Sequence, residues 1–356
     1  MSHDDPQKQT PIPPELERYS RQIRLPAIDV QGQQRLSESS ALVVGCGALG
    51  SVISESLVRA GVGLVRLVDR DFLELHNLQR QVLYDEHDVA SGLPKAIAAK
   101  TKLQAINGRV QIEAFVEDLN YKNIATLAQD VFVIVDGTDN FETRFLINDY
   151  ALENSVPWIY GGCLGSEGQS MTILPGQTSC LHCLMTDGPP PPGTTPGCDI
   201  AGVVGPIVNV IASIQSMEAL KILSGNLPAV NRHLTVVDLW SGRFSRMELE
   251  DLGQRVNCPA CVQGQRVWLN GQRASQSTVL CGRNSVQIRS SSDTQIDLAQ
   301  LANRLQDHGE VTVNEFLLKF QLPDYQLTVF ANGRAIISGT GDPTKAKSLY
   351  TQWIGS

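Results

Sequence analysis

The sequence predicts an α/β fold: a mostly parallel, Rossmann-like sheet with helices on both faces, loops pinned by zinc, and a small C-terminal α+β domain. Three observations predict it. The stretch 41–71 reads as a β-α-β unit, with Gly45, Gly47 and Gly50 forming a G-x-G-x-x-G turn between an apolar run and a helical pattern. Further buried-strand runs alternate with helical ones through residue 239. Two matching C-x-x-C knuckles, Cys180/Cys183 and Cys258/Cys261, suit one tetrahedral zinc that pins two distant loops.

Residues 1–13 are polar and carry three prolines, the composition of a disordered tail. A nucleotide-binding domain is expected over 14–263 and a smaller domain over 264–356. Residues 15–25 read as one helix with Arg18, Arg21 and Arg24, a solvated basic face on spacing alone. A short helix over 31–38 leads to the first strand, 41–44; helix 48–60 and strand 64–68 follow. Pro94 opens a helix, as proline does at a first turn. Strands are expected at 110–116, at 131–135 and at 156–160, the last ending in Gly161-Gly162; helices fall at 122–128, 141–154 and 206–223. Residues 234–239, and a second run near 246–249, read as strands. Beyond a linker at 264–284, β and α patterns alternate, and Asn332-Gly333 between apolar runs signals a hairpin. Cys281-Gly282-Arg283 has a faint likeness to a sulfurtransferase loop, but it does not follow a central strand, and that reading is rejected.

Composition narrows the function. A chain of 356 residues has room for two domains with real cores. A net charge of −8 lacks the basic excess of a general nucleic-acid binder. The first residues hold no apolar run, so no secretory signal is expected and the cytoplasm is the expected compartment. Without a secretory signal, cysteine pairs favour metal ligation over disulfides. Residues 207–223 are apolar but interrupted by Asn209, Gln215, Glu218 and Lys221, so a buried helix is expected rather than a membrane span.

The candidate site residues cluster at the carboxyl ends of the predicted strands. Asp69 stands where a ribose hydroxyl would be read, about twenty residues past the glycines. Together the turn and this acid point to an adenine nucleotide without choosing between NAD and ATP. Asp71, Asn77, Gln79, Arg80 and Gln81 make the next loop unusually polar, although a surface helix cap would also use such residues. Lys95 sits in a helix first turn, where a cation is locally unfavourable unless held for an anion; a plain surface lysine is the competing reading. Asp136 and Asp139 follow a buried strand, where open α/β sheets bind ligands, and Asn140 can cap the next helix. Cys198 ends a proline- and glycine-rich loop, either as a reactive thiol or as a small packed residue.

The motifs RYSRQIRL (18–25), GCGALG (45–50), the D-x-D of Asp69 and Asp71, NLQRQ (77–81), Pro94-Lys95, GTDN (137–140), the two knuckles and CDIAGVVGP (198–206) resemble the MoeB/ThiF family over residues 15–262. That resemblance implies ATP-dependent adenylylation of the C-terminal glycine of a small ubiquitin-like sulfur carrier ending in Gly-Gly, with Mg2+ and a structural Zn2+ as cofactors. It implies that Gly45, Gly47, Ala48, Gly50, Asp69, Asp71, Asn77 and Asn140 line the nucleotide. Arg80 and Lys95 would hold phosphates, and Asp139 would bind magnesium. Arg21 would reach into the partner subunit's site of a homodimer, and Arg144 would assist. Cys198 matches a cysteine that in thiamine-type members links to the carrier. A cysteine desulfurase or sulfurtransferase is an implied partner; no nucleic acid or membrane partner is. Ala48 departs from the family's usual glycine. Two rivals remain. An NAD-dependent dehydrogenase explains the glycines and Asp69 but not Arg80, Lys95 and Asp139. A non-catalytic scaffold for a ubiquitin-like protein explains none of those three.

Overall fold

The computed structural model describes residues 12–189, 201–273, 277–280 (backbone), 284–288 and 295–355. Cys198, Cys281 and the stretch 1–11 of the expected tail lie outside the described residues.

The first unit is an eight-stranded sheet. Its strands are β1 (Ser40–Val44), β2 (Leu64–Val68), β3 (Gln111–Phe115), β4 (Val133–Asp136), β5 (Trp158–Leu164), β6 (Glu167–Ile173), β7 (His233–Asp238) and β8 (Arg243–Glu248), in the order β3-β2-β1-β4-β5-β6-β7-β8. β3 to β5 pair in parallel, and β6 to β8 extend the sheet antiparallel. The inner strands alternate across both faces, because neighbouring side chains in a strand point opposite ways. Ala41 and Val43 enter the core under helices α1 (Asp29–Glu38), α2 (Ala48–Ala60), α3 (Lys95–Ile106) and α5 (Gly205–Leu223). Leu42 and Val44 enter a second core under α4 (Phe141–Asn154). Register aligns Val44 with both Val68 and Asp136, so three strands end side by side. β2 lies on one side of β1 and β4 on the other, which opens a crevice at that switch point.

α5 is long and apolar enough to cross a membrane, yet here it is a core helix. Its buried Gln215 donates to the carbonyls of Asp136 and Ile159, and its buried Glu218 pairs with Lys221. β5 is expected to end at Gly161-Gly162. The strand instead runs through them and turns back as β6, which that expectation lacked. Gly161 is there because a Cβ would lie 2.4 Å from the Gln215 side chain, not because the chain turns. The expected single helix at 15–25 is a 3-10 turn, Pro14–Tyr19, followed by the short α-turn Ser20–Ile23.

Residues past Gln263 stay with the first unit through Leu269: the backbone N–H groups of Trp268 and Leu269 donate to Asp149, and the Trp268 ring stacks on Phe145. The second unit is an antiparallel sheet ordered β11-β12-β13-β14-β10-β9. Its strands are β9 (Ser277–Leu280), β10 (Ser285–Ile288), β11 (Glu310–Val313), β12 (Leu317–Gln321), β13 (Gln326–Phe330) and β14 (Ala335–Ser338). Helices α6 (Leu298–Leu305) and α7 (Pro343–Trp353) cover its core. The Asn332-Gly333 turn joins β13 to β14, with Gly333 at φ 78°.

Candidate active site

The three turn glycines answer three different demands. Gly45 adopts φ 87°, and a Cβ there would sit 2.7 Å from the Gly137 carbonyl oxygen. A Cβ at Gly50 would sit 1.8 Å from the Gly45 carbonyl oxygen, so this residue lets α2 close on the turn. Gly47 has open space; the nearest atom to its added Cβ is Gln81 Nε2 at 3.8 Å. Gly47 is the N-cap of α2 with no side-chain cap, and Ala48 is the first helical residue. The N–H groups of the first turn therefore face the crevice, where an anion satisfies them.

A second turn, 69–71, is wired to the first. Asp69 Oδ2 accepts from the Cys46 N–H at 2.6 Å, and Asp69 Oδ1 accepts from the Asp71 N–H at 2.7 Å. Burial pushes the Asp69 carboxyl up, and Lys95 opposes that shift. Lys95 is only 4% exposed, and its Nζ lies 3.4 Å from Asp71 Oδ2. Part of what holds this cation in a helix first turn is thus an internal carboxylate. The Tyr84 hydroxyl lies 2.7 Å from the Cys46 carbonyl oxygen and 3.3 Å from that of Lys95, which draws the base of α3 against the glycine turn. Tyr84 carries no motif, and nothing in the sequence singled it out.

The polar segment 74–81 flanks the same opening. Asn77 is fully buried; its Oδ1 accepts from the Glu74 N–H, and its Nδ2 has no protein partner. Gln81 Oε1 is likewise buried and unpaired. Asn77 Nδ2, a donor beside an open helix N-terminus, is what a phosphate oxygen would satisfy, and Gln81 Oε1, an acceptor, would need a hydroxyl or amino group of the same ligand, so the residues present fit a nucleotide. Among the described residues Arg80 donates only to the His76 carbonyl, at 3.0 Å, which leaves most of its donors for a ligand. On another side of the opening, the Val203 carbonyl accepts from Gln79 Nε2 at 3.4 Å.

The expected pair of carboxylates divides. Asp136 is fully buried and turned inward: its Oδ2 accepts from Arg144 Nε at 3.0 Å, and its Oδ1 from the Thr138 N–H and hydroxyl. Arg144 also donates to the carbonyls of Thr138 and Gly161. Burial works against the Arg144 charge, but Asp136 and Tyr160 hold its pKa above the usual value. Arg144 is therefore a clamp beneath the loop. Asp139 is exposed, and Asn140 caps α4 by accepting from the Thr143 N–H at 2.8 Å. Magnesium keeps several waters and binds through one or two carboxylates plus phosphates, so Asp139 fits it only with a nucleotide present.

The cysteines converge. Cys180, Cys183, Cys258 and Cys261 place all four Sγ atoms within 4.8 Å of one another, with 180–258 and 180–183 at 3.7 Å and 183–261 at 3.5 Å. Tetrahedral zinc with Zn–S bonds of about 2.3 Å needs sulfurs about 3.8 Å apart, so the set fits the ion. Gly253 lies alongside; a Cβ there would be 3.1 Å from Cys261 Sγ.

Arg21 is exposed and far from its own glycine turn. Its neighbour Gln22 donates to the Ala60 carbonyl, at the far end of α2. Thirteen helical residues at 1.5 Å each separate the two ends by about 20 Å.

The ThiF family profile matches residues 19–260. The chain is 43% identical to the sulfur carrier protein ThiS adenylyltransferase of Bacillus subtilis, over 95% of this chain and 99% of that one. It is 39% identical to a sulfur carrier protein adenylyltransferase of Thermus thermophilus, over 69% and 91% of the two chains. Among solved structures, E. coli MccB with ATP superposes with a TM-score of 0.56 at 22% identity, covering 67% of this chain and 74% of that one, a likeness of fold.

Proposed function

The chain belongs to the ThiF family, and from that premise we propose that it adenylylates the C-terminal carboxylate of a ubiquitin-like sulfur carrier. The observation that carries the reading is Lys95, almost fully buried, its Nζ 3.4 Å from Asp71 in the turn that Asp69 joins to the glycine turn. A dinucleotide's pyrophosphate is satisfied by the helix N-terminus alone. A triphosphate that must lose pyrophosphate needs further cations, and Lys95 with Arg80 supplies them.

The carboxylate oxygen attacks the α-phosphorus of ATP, the bond to the bridging oxygen of the β-phosphate breaks, and pyrophosphate leaves. No proton has to be removed from the nucleophile, so the site's work is charge neutralisation and alignment. Gly47 and Ala48 N–H groups and Asn77 face the phosphates, and Asp69 takes the ribose hydroxyls with its remaining lone pairs. Arg80 and Lys95 neutralise the leaving group. Magnesium, held by Asp139, would neutralise phosphate oxygens when bound. Arg21 acts in the partner subunit's site of a homodimer; the contact of its neighbour Gln22 with Ala60, at the end of α2 away from the glycine turn, supports that reading. Zinc held by the four thiolates of Cys180, Cys183, Cys258 and Cys261 would have no open coordination position, so its part would be structural. Cys198 would act after adenylylation, in passing sulfur to the carrier from a desulfurase or sulfurtransferase.

Carrier-dependent exchange of radiolabelled pyrophosphate into ATP tests the proposal, using Gly-Gly-ending carriers one at a time. Exchange with one carrier, and none when its terminal glycine is deleted, is expected. A chain stabilised by NAD but not by ATP in thermal melting would refute it.

A further inference from the structure

The C-terminal sheet carries no cluster of catalytic side chains among the described residues, yet it buries a cation against the nucleotide turn. Arg334, 3% exposed, follows the Asn332-Gly333 hairpin, and its guanidinium stacks 3.5 Å over the Phe330 ring. Its Nη2 donates to the Arg70 carbonyl at 2.5 Å, and its Nη1 to Gln287 Oε1 at 3.4 Å. Gln287, fully buried on β10, donates through Nε2 to Asp118 Oδ2 at 2.9 Å. Asp118 Oδ1 accepts from Arg70 Nη1 at 3.1 Å, which closes a ring of four side chains through the Arg70 main chain. Burial lowers the Arg334 pKa to about 10, and the carboxylates that oppose this, Asp118, Asp71 and Asp69, all belong to the first unit. A buried guanidinium is costly without counter-charge. This one has its counter-charge across the boundary between the two sheets.

The Arg70 carbonyl and the Asp71 N–H belong to one peptide unit. Arg334 holds its oxygen, and Asp69 Oδ1 holds its hydrogen. The other Asp69 oxygen holds the Cys46 N–H of the glycine turn. One peptide plane and one carboxylate thus join the C-terminal sheet to the crevice. Apolar packing runs alongside. Phe72 is buried with Leu317, Phe330 and Ile336 of the C-terminal sheet, and Lys319 lies over its ring at 4.5 Å. Asn314 donates to the Gly92 carbonyl, close to Lys95.

We propose that the C-terminal sheet is a clamp on the nucleotide site, with Arg334 and Gln287 as positioning residues that fix the Asp69–Arg70–Asp71 turn for ATP. The proposal rests on the adenylylation reading for its ligand. It assigns the C-terminal unit to nucleotide affinity, where a carrier-docking or sulfur-transfer module would change carrier affinity instead.

The test uses the full chain with zinc bound. Arg334→Met keeps the apolar stem and removes every donor; Gln287→Met breaks the ring one step away and serves if Arg334→Met does not fold. Each should raise the KM for ATP about tenfold in carrier-dependent exchange, with the KM for carrier unchanged within twofold, because a buried acceptor loses its donor. Arg334→Lys, which keeps one donor, should recover part of that loss. An unchanged KM for ATP in folded variants, or equal rises for ATP and carrier, overturns the clamp. The two readings fail separately. A wild-type chain that exchanges no pyrophosphate with any carrier refutes adenylylation, and the clamp is then judged on the Kd for ATP measured without carrier. There, too, a tenfold rise supports it and no change overturns it.

Discussion

Lys95 is tied to Asp71 twice. Its Nζ faces Asp71 Oδ2 at 3.4 Å, and its backbone N–H donates to the Asp71 carbonyl at 2.9 Å. The first turn of α3 and the turn after β2 are thereby fixed to each other, and the ammonium is stationed at the crevice before any nucleotide arrives. A cation placed in advance costs no reorganisation at the moment of reaction.

Lys95→Ala should therefore lower pyrophosphate exchange about a hundredfold, or roughly 3 kcal/mol of transition-state stabilisation. Thermal melting should show a folded protein. Wild-type exchange rates from a folded variant would exclude Lys95 from the chemistry.

Asp139 is exposed, and its charge is only a minor contributor to the fields at Arg70 and Arg144, so its removal should largely spare stability. Asp139→Ala should abolish exchange at ordinary magnesium. Asp139→Asn should be nearly as poor, because it keeps the shape and loses the charge. Activity that persists in either variant would place the magnesium elsewhere.

Removing the metal should act on stability. Cys180→Ser, or prolonged chelation, should lower Tm by on the order of 10 °C. Elemental analysis of protein purified without chelator should find one zinc per chain; finding none would disprove the assignment.

Arg21→Ala and Asp139→Ala proteins, each inactive, should complement when mixed. In a mixed dimer one site joins an intact Asp139 to the partner's intact Arg21. Statistical exchange makes half the dimers mixed with one working site each, so recovery should approach about a quarter of wild type. Demonstrated subunit exchange without recovered activity would mean that Arg21 does not act across subunits.

The parts of the site that sequence made legible are those in which one local rule acts alone. Gly45, Gly47 and Gly50 stand in a strand-to-helix turn, and α4 falls at its predicted bounds because Asn140 caps it. The four cysteines meet because their pairing chemistry is visible at any separation. What was hidden depends on partners far along the chain. Gly161 reads as a stop until Gln215 is seen lying against it. Asp136 reads as a ligand until Arg144 is seen to neutralise it. Arg334 and Arg70 are 264 residues apart, and no spacing or periodicity links them.

The sulfur spacing that suits zinc also makes the knuckles a point of oxidative weakness. At 3.5–3.7 Å, neighbouring thiolates need move little to join once the ion is lost. Peroxide, by oxidising the thiolates, would release the metal and cross-link the two loops, Cys180 to Cys258 or Cys183 to Cys261 among the close pairs. A preparation stored without reductant should age into a zinc-free, thermally weak protein whose nucleotide crevice is chemically intact, and reductant together with added zinc should reverse the change.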